Sequence, residues 1–127
     1  MSKQKILLVE DDGFLASIYS QKLELEGYEV TFATNGEDGL KLAQKDHPDL
    51  LLLDLLMPKM DGFSVLKALK EDPKTKNAPV ILLTNLGQEE DIARGKEMGS
   101  VGYLVKANIT PAEVVEQVKK QLANLAK

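Results

Sequence analysis

Three stretches of this chain, Ile6–Val9, Asp49–Asp54 and Pro79–Leu83, hold apolar runs unbroken by any polar residue between their ends. A strand with one wet face alternates polar and apolar side chains, whereas a strand without alternation is covered on both faces. The three stretches therefore read as buried strands of one sheet with a layer of structure on each side.

The intervening sequence supplies those layers. Phe14–Glu26 reads as a helix stopped by Gly27, Gly36–Lys45 as a second, and Gly62–Lys70 as a third, with Pro73 just beyond it. Gln88–Met98 is a weaker fourth helix, because Gly95 inside it costs about 1 kcal/mol relative to alanine. Tyr28–Ala33 and Val101–Val105 are further strands, rich in β-forming residues. Thr110–Leu125 is the last helix: Thr110 at the N-cap, Pro111 at the first helical position and Glu113 form a capping box. Val115, Val118, Leu122 and Leu125 recur on its apolar face. A β-α order repeated this way predicts an α/β fold, a five-stranded parallel sheet with helices on both faces. Periodicity leaves two windings of such a sheet open. In either, ligands bind beyond the carboxyl ends of the strands.

Length and composition limit the remaining options. The chain has 127 residues and no cysteine. It reads as one domain over residues 1–127, large enough to bury about two-thirds of its surface without a disulfide or structural metal. The missing cysteine excludes thiol chemistry and Cys-ligated zinc. The first apolar run is too short for a signal-peptide core or a membrane span, so a soluble, cytoplasmic protein with no membrane association is expected. With a formal charge of −4 and lysines interspersed among acids, direct nucleic-acid binding is not expected.

The strand ends concentrate reactive groups. Glu10-Asp11-Asp12 follows the first strand, Asp54 closes the third, Thr84 follows the fourth and Lys106 the fifth. Clustered carboxylates repel one another unless a cation neutralises them. Oxygen donors without cysteine or a suitably placed histidine point to a hard ion such as Mg²⁺, which keeps exchangeable positions for a phosphoryl oxygen. Lys106 and Thr84 are placed to hold other phosphoryl oxygens, and Asp54 is the natural nucleophile.

These residues stand in segments that resemble the response-regulator receiver family over essentially the whole chain. The segments are Ile6–Asp12, Leu52–Gly62 with Met57-Pro58 and Asp61-Gly62 behind Asp54, Ile81–Thr84 and Gly102–Lys106. The resemblance implies a flavodoxin-like (βα)5 sandwich with strand order 2-1-3-4-5. It implies a signalling switch, not an enzyme, that assists its own phosphorylation and dephosphorylation. Asp54 would accept a phosphoryl group from a phosphohistidine on a histidine kinase or histidine phosphotransfer protein. Asp11, Asp54 and the Leu56 carbonyl would bind Mg²⁺, with Glu10 helping through water. Lys106 and Thr84 would contact the phosphoryl group, with Thr84 and Tyr103 moving as a switch and Tyr103 packing inward behind Thr84. The surface of the fourth helix, fifth strand and fifth helix would then meet a downstream protein, with the chain a monomer or a phosphorylation-dependent dimer. No output domain is legible, which fits a stand-alone regulator or a receiver excised from a longer chain.

Plainer roles compete at several positions. Asp12 precedes Gly13 and the first helix and reads as its N-cap. Asp61-Gly62 reads as turn and helix-start chemistry. His47, before Pro48, reads as a surface helix end. Two residues depart from the family pattern. Ala107 stands after Lys106 where the family usually has proline, so a trans peptide and a rearranged loop are expected. Asn85 stands after Thr84 where a small residue is usual, and would narrow access to Asp54 or bond the phosphoryl group. Two enzymes of similar topology fit less well. A flavodoxin presents hydroxyls and amides in its first loop, and a haloacid-dehalogenase-type phosphatase needs an aspartate where Leu56 stands.

Overall fold

A computed structural model describes residues 3–57 and 59–125 of the chain. Pro58, read above as part of the Asp54 motif, and the side chain of Leu125, read as part of the last helix's apolar face, lie outside the described residues.

The elements follow the predicted order: β1 (Lys5–Val9), α1 (Gly13–Leu25), β2 (Glu29–Ala33), α2 (Gly36–Asp46), β3 (Leu50–Leu53), α3 (Gly62–Glu71), β4 (Val80–Thr84), α4 (Glu89–Glu97), β5 (Gly102–Val105) and α5 (Pro111–Leu125). One element was not predicted: Lys106–Asn108 form a single turn of 3₁₀ helix between β5 and α5. The sheet is parallel with order β2-β1-β3-β4-β5, the flavodoxin-like arrangement.

Helix starts are fixed by side chains taking up otherwise unpaired backbone N–H groups. Asp12 Oδ1 accepts from the Phe14 and Leu15 amides at 3.0 and 3.2 Å. Asp61 Oδ1 accepts from the Ser64 amide at 3.1 Å. The Thr110–Glu113 capping box is reciprocal: the Thr110 amide donates to Glu113 Oε1 and the Glu113 amide to Thr110 Oγ1. At the end of α1, Gly27 takes a left-handed φ of 96°.

All residues of β3 and β4 are buried, as their unbroken apolar runs require. Their side chains alternate between two cores. Ile6, Leu8, Leu50, Leu52, Ile81 and Leu83 pack under α1 and α5 with Ala16, Leu23, Val114 and Val118. Leu7, Val9, Leu51, Leu53, Val80 and Leu82 pack on the opposite face with Val65, Leu66 and Leu69 of α3. Strand β2 is more exposed, with Phe32 48% accessible, because it lies at the sheet edge with a single strand neighbour.

Gly95 is buried inside α4. A Cβ there would lie 2.5 Å from Leu82 Cδ1 and 3.3 Å from Tyr103 Cδ2. The glycine that weakens the helix therefore lets α4 lie close on the sheet. The Arg94 guanidinium, on the same helix, sits 4.0 Å from the centre of the Phe63 ring of α3, a cation–π contact that ties the two helices.

Candidate functional site

Strand order reverses at β1 and β3, and there the register does the placing. Val9 is the partner of Leu53, so the next residues, Glu10 and Asp54, leave the sheet side by side. The Asp54 amide donates to the Val9 carbonyl at 3.0 Å, which extends the pairing one step past the strand. Gly62 lies behind: a Cβ at this position would collide with the Asp54 carbonyl and the Leu55 backbone. The Asp61-Gly62 pair thus does act as helix-start chemistry, and its glycine also allows α3 to back closely onto the Asp54 peptide.

Glu10 and Asp54 are buried, with 1% and 3% of their surfaces accessible. Lys106 reaches both. Its Nζ lies 2.7 Å from Asp54 Oδ2 and forms a second ion pair with Glu10 Oε2. The other Asp54 oxygen, Oδ1, accepts from the Leu56 amide at 3.1 Å. Asp11 is exposed beside them, and single carboxylate oxygens of Glu10, Asp11 and Asp54 lie within 4.8 Å of one another. These groups, with Asp12, Leu15, Leu56 and Asn85, line an open cavity of about 290 Å³.

Charge in this cleft is unbalanced. The three clustered carboxylates, Glu10, Asp11 and Asp54, face one ammonium, which leaves two negative charges when all are ionised, and Asp12 lines the same cavity. Burial opposes ionisation of Glu10 most strongly; hydrogen bonds from Lys106 and the Asp12 amide oppose that effect only in part, and the carboxyl is pushed up to about 7. Burial works against the charged form of Lys106 too, but its bonds to Asp54 and Glu10 outweigh burial and raise it. Glu10 Oε2 is buried, and the partner it has is the Lys106 ammonium, which it shares with Asp54. One ammonium shared between two buried carboxylates, in a cluster of hard oxygens with excess negative charge, leaves room for a divalent cation to complete the neutralisation. The acidic cluster therefore has the donor chemistry to coordinate one.

Thr84 is fully buried at the end of β4. Its Oγ1 accepts from the Leu86 amide at 3.3 Å. Tyr103 turns inward, its lateral partner in the sheet is Leu82, and its hydroxyl donates to the Leu86 carbonyl. Burial, foremost, pushes this phenol up to about 12, so it is neutral and a donor.

The residues singled out in the sequence thus divide. Glu10, Asp11, Asp54, Leu56 and Lys106 meet in one cleft, and Thr84 and Tyr103 join through Leu86 beside it. Asp12 caps α1, and its amide donates to Glu10 Oε1 at 3.1 Å. His47 is an exposed left-handed residue ending α2, φ 48°. No cis peptide occurs among the described residues, so Lys106–Ala107 is trans. Sequence reasoning missed the partner of Asn85, whose Oδ1 accepts from the Ala107 amide at 3.1 Å.

Comparison with known proteins places this cleft in a wider group. The sequence profile of the response regulator receiver domain matches residues 6–119. The DNA-binding dual master transcriptional regulator RpaA of Synechocystis is 40% identical over 121 residues, covering 95% of this chain and 48% of that regulator. The chain spans about half the length of the curated relatives it matches first. Among solved structures, a CheY-like receiver domain protein from Methanospirillum hungatei superposes with a TM-score of 0.89 at 28% identity, covering 97% of this chain and 96% of that one. The receiver domain of Francisella response regulator 1452 gives 0.88 at 32% identity, covering 98% and 100%.

Proposed function

This chain belongs to the response regulator receiver domain family, and from that membership we propose that residues 1–127 form one receiver domain that accepts a phosphoryl group on Asp54 from a phosphohistidine. As a receiver domain it is a phosphoacceptor signalling module and not an enzyme in the conventional sense. The observation that carries the assignment is the pairing of Lys106 with Asp54 at 2.7 Å, beside the Glu10 and Asp11 carboxylates.

In the proposed transfer an Asp54 carboxylate oxygen forms the new P–O bond as the donor's P–N bond breaks, and the bonding pair leaves on the imidazole nitrogen. Lys106 follows the negative charge from the carboxylate to a phosphoryl oxygen, and Thr84 turns its hydroxyl to another. Both act by position and charge, the main resources of phosphoryl transfer. Asp11, Asp54 and the Leu56 carbonyl would hold Mg²⁺, with Glu10 helping through water, and the ion would supply charge neutralisation at the phosphoryl oxygens. The donor is a histidine kinase or histidine phosphotransfer protein. The response is read by a downstream protein on the face formed by α4, β5 and α5, with the chain a monomer or a phosphorylation-dependent dimer. Among the described residues no helix is long and apolar enough to cross a membrane, and contact of this chain with nucleic acid is not part of the proposal.

Acetyl phosphate with Mg²⁺ should add one phosphoryl group by intact mass, labile to base, and Asp54→Asn should take up none. Labelling that survives Asp54→Asn would move the acceptor elsewhere.

A further inference from the structure

Lys106 is not rooted in a strand. Strand β5 ends at Val105, and the chain enters the 3₁₀ turn with Lys106 itself. A helix start leaves backbone N–H groups without partners in the helix, and no side chain at the Val105 cap position takes one up. The Ala107 N–H is taken up from across the sheet instead, by Asn85 Oδ1. Because the donor is a backbone N–H, the side-chain oxygen of Asn85 must be the atom that faces it.

The position of this bond matters. Thr84 and Val105 are the last register pair of β4 and β5. Asn85 and Lys106 are the next residue of each, where ladder hydrogen bonding has stopped. The Asn85–Ala107 bond continues the connection one step further, on the peptide that leads out of Lys106. A lysine side chain is long, flexible and costly to order, so its ammonium is held at a point only if its backbone is fixed. In this chain that ammonium reaches two buried carboxylates just beyond the ends of two other strands. Asn85 also lines the same cavity.

We propose that Asn85 is a positioning residue for Lys106: by holding the Ala107 amide it fixes the turn from which the ammonium reaches Asp54 and Glu10. The geometric statement stands alone; its consequence for phosphorylation rests on the phosphoacceptor reading above.

Four variants of the full chain test this: Asn85→Ala, Asn85→Asp, Ala107→Pro and the double variant Asn85→Ala with Ala107→Pro. Two quantities are followed by NMR without any phosphodonor, the Ala107 amide proton and the Lys106 Nζ resonance. Phosphorylation by acetyl phosphate with Mg²⁺ is timed separately. Asn85→Ala should shift the Ala107 amide proton upfield, move the Lys106 Nζ resonance toward that of the exposed lysines and slow phosphorylation about tenfold. Asn85→Asp keeps an acceptor at the same reach and should leave the Ala107 proton downfield. Ala107→Pro removes the N–H, and in that background Asn85→Ala should change neither the Lys106 resonance nor the rate further. A parental Lys106 resonance in Asn85→Ala would overturn the proposal, as would an equal Asn85→Ala effect with and without the Ala107 N–H. Should Ala107→Pro fail to fold, the contrast between Asn85→Ala and Asn85→Asp still decides it. A parent chain that takes up no phosphoryl group would refute the phosphoacceptor reading, while the two resonances would still judge the clamp.

Discussion

Thr84 and Tyr103 are joined through the backbone of one residue, Leu86. The Leu86 amide donates to Thr84 Oγ1, and the Leu86 carbonyl accepts from the Tyr103 hydroxyl. Thr84 cannot turn its oxygen toward a group on Asp54 without disturbing its bond from Leu86, and Leu86 cannot move without disturbing its bond from Tyr103. This is a physical connection between the proposed phosphorylation site and the α4–β5 face.

Tyr103→Phe should cut that connection and leave the ring packed beside Gly95. The loss of one hydrogen bond should cost about 1 kcal/mol. Amide exchange in residues 86–98 should quicken in the variant. Chemical-shift changes induced by beryllofluoride, a mimic of the phosphoryl group, should reach Asp54 and Thr84 but fade before α4. Full propagation in Tyr103→Phe would show that the signal travels by another route.

Asp11 and Asp12 are neighbours with separable tasks. Asp12→Ala should cost about 1 kcal/mol of stability through the lost N-cap, while Mg²⁺ still raises the Tm. Asp11→Ala should abolish the rise in Tm with Mg²⁺ and leave the cation-free Tm unchanged or higher, because a repelling charge is gone. Thermal melts with and without Mg²⁺ distinguish the two, and an exchange of the two outcomes would exchange the roles.

Glu10 should make the cation-free fold less stable at neutral than at acidic pH. Burial pushes its carboxyl from 4.5 to about 7, so the folded state binds this proton more tightly than the unfolded state does. Its contribution is complete below about pH 4.5 and is lost as pH rises through 7, an effect of about 3 kcal/mol at most. Urea unfolding in chelator should show this loss in the parent, and Glu10→Gln should flatten the profile over that window. An unchanged profile in Glu10→Gln would place the titration on another group.

Gly95→Ala should destabilise the chain although it improves helix propensity. The gain is about 1 kcal/mol. Against it stands a methyl group placed 2.5 Å from Leu82 Cδ1 and 3.3 Å from a Tyr103 ring carbon. Overpacking of this kind costs about 1–3 kcal/mol, and Leu82 is fully buried in the core. A Tm below the parent's is expected; a higher Tm would show that α4 can lift from the sheet at little cost.

The buried strands were legible because unbroken apolar runs are a local signal, and the α5 start because its cap residues stand in a fixed local pattern. Strand order was not legible from periodicity; it followed from resemblance and is seen in the pairing of β1 with both β2 and β3. The reactive residues could be named because each stands at a strand end. Their neighbours were harder. Tyr103 reaches Leu86 because its lateral partner is Leu82, a register that no single strand reveals. Asn85 was read as a group for the phosphoryl or for access, while its oxygen is engaged by Ala107, a bond spanning 22 positions in sequence. Such contacts leave no period or spacing to read.

The alternation of β3 and β4 side chains between two cores has a further consequence. Leu82, Tyr103, Leu86 and Met98 belong to the layer shared with α2 and α3, whereas Tyr19, Leu23, Val118 and Leu122 belong to the layer under α1 and α5. The two layers touch different faces of the same backbone and share no side chain. Changes in one then reach the other only through that shared backbone and not by direct side-chain contact within one cluster. The α1–α5 layer can serve as a stationary foundation while the α4 side rearranges, and mutations could retune either side with little penalty on the opposite one.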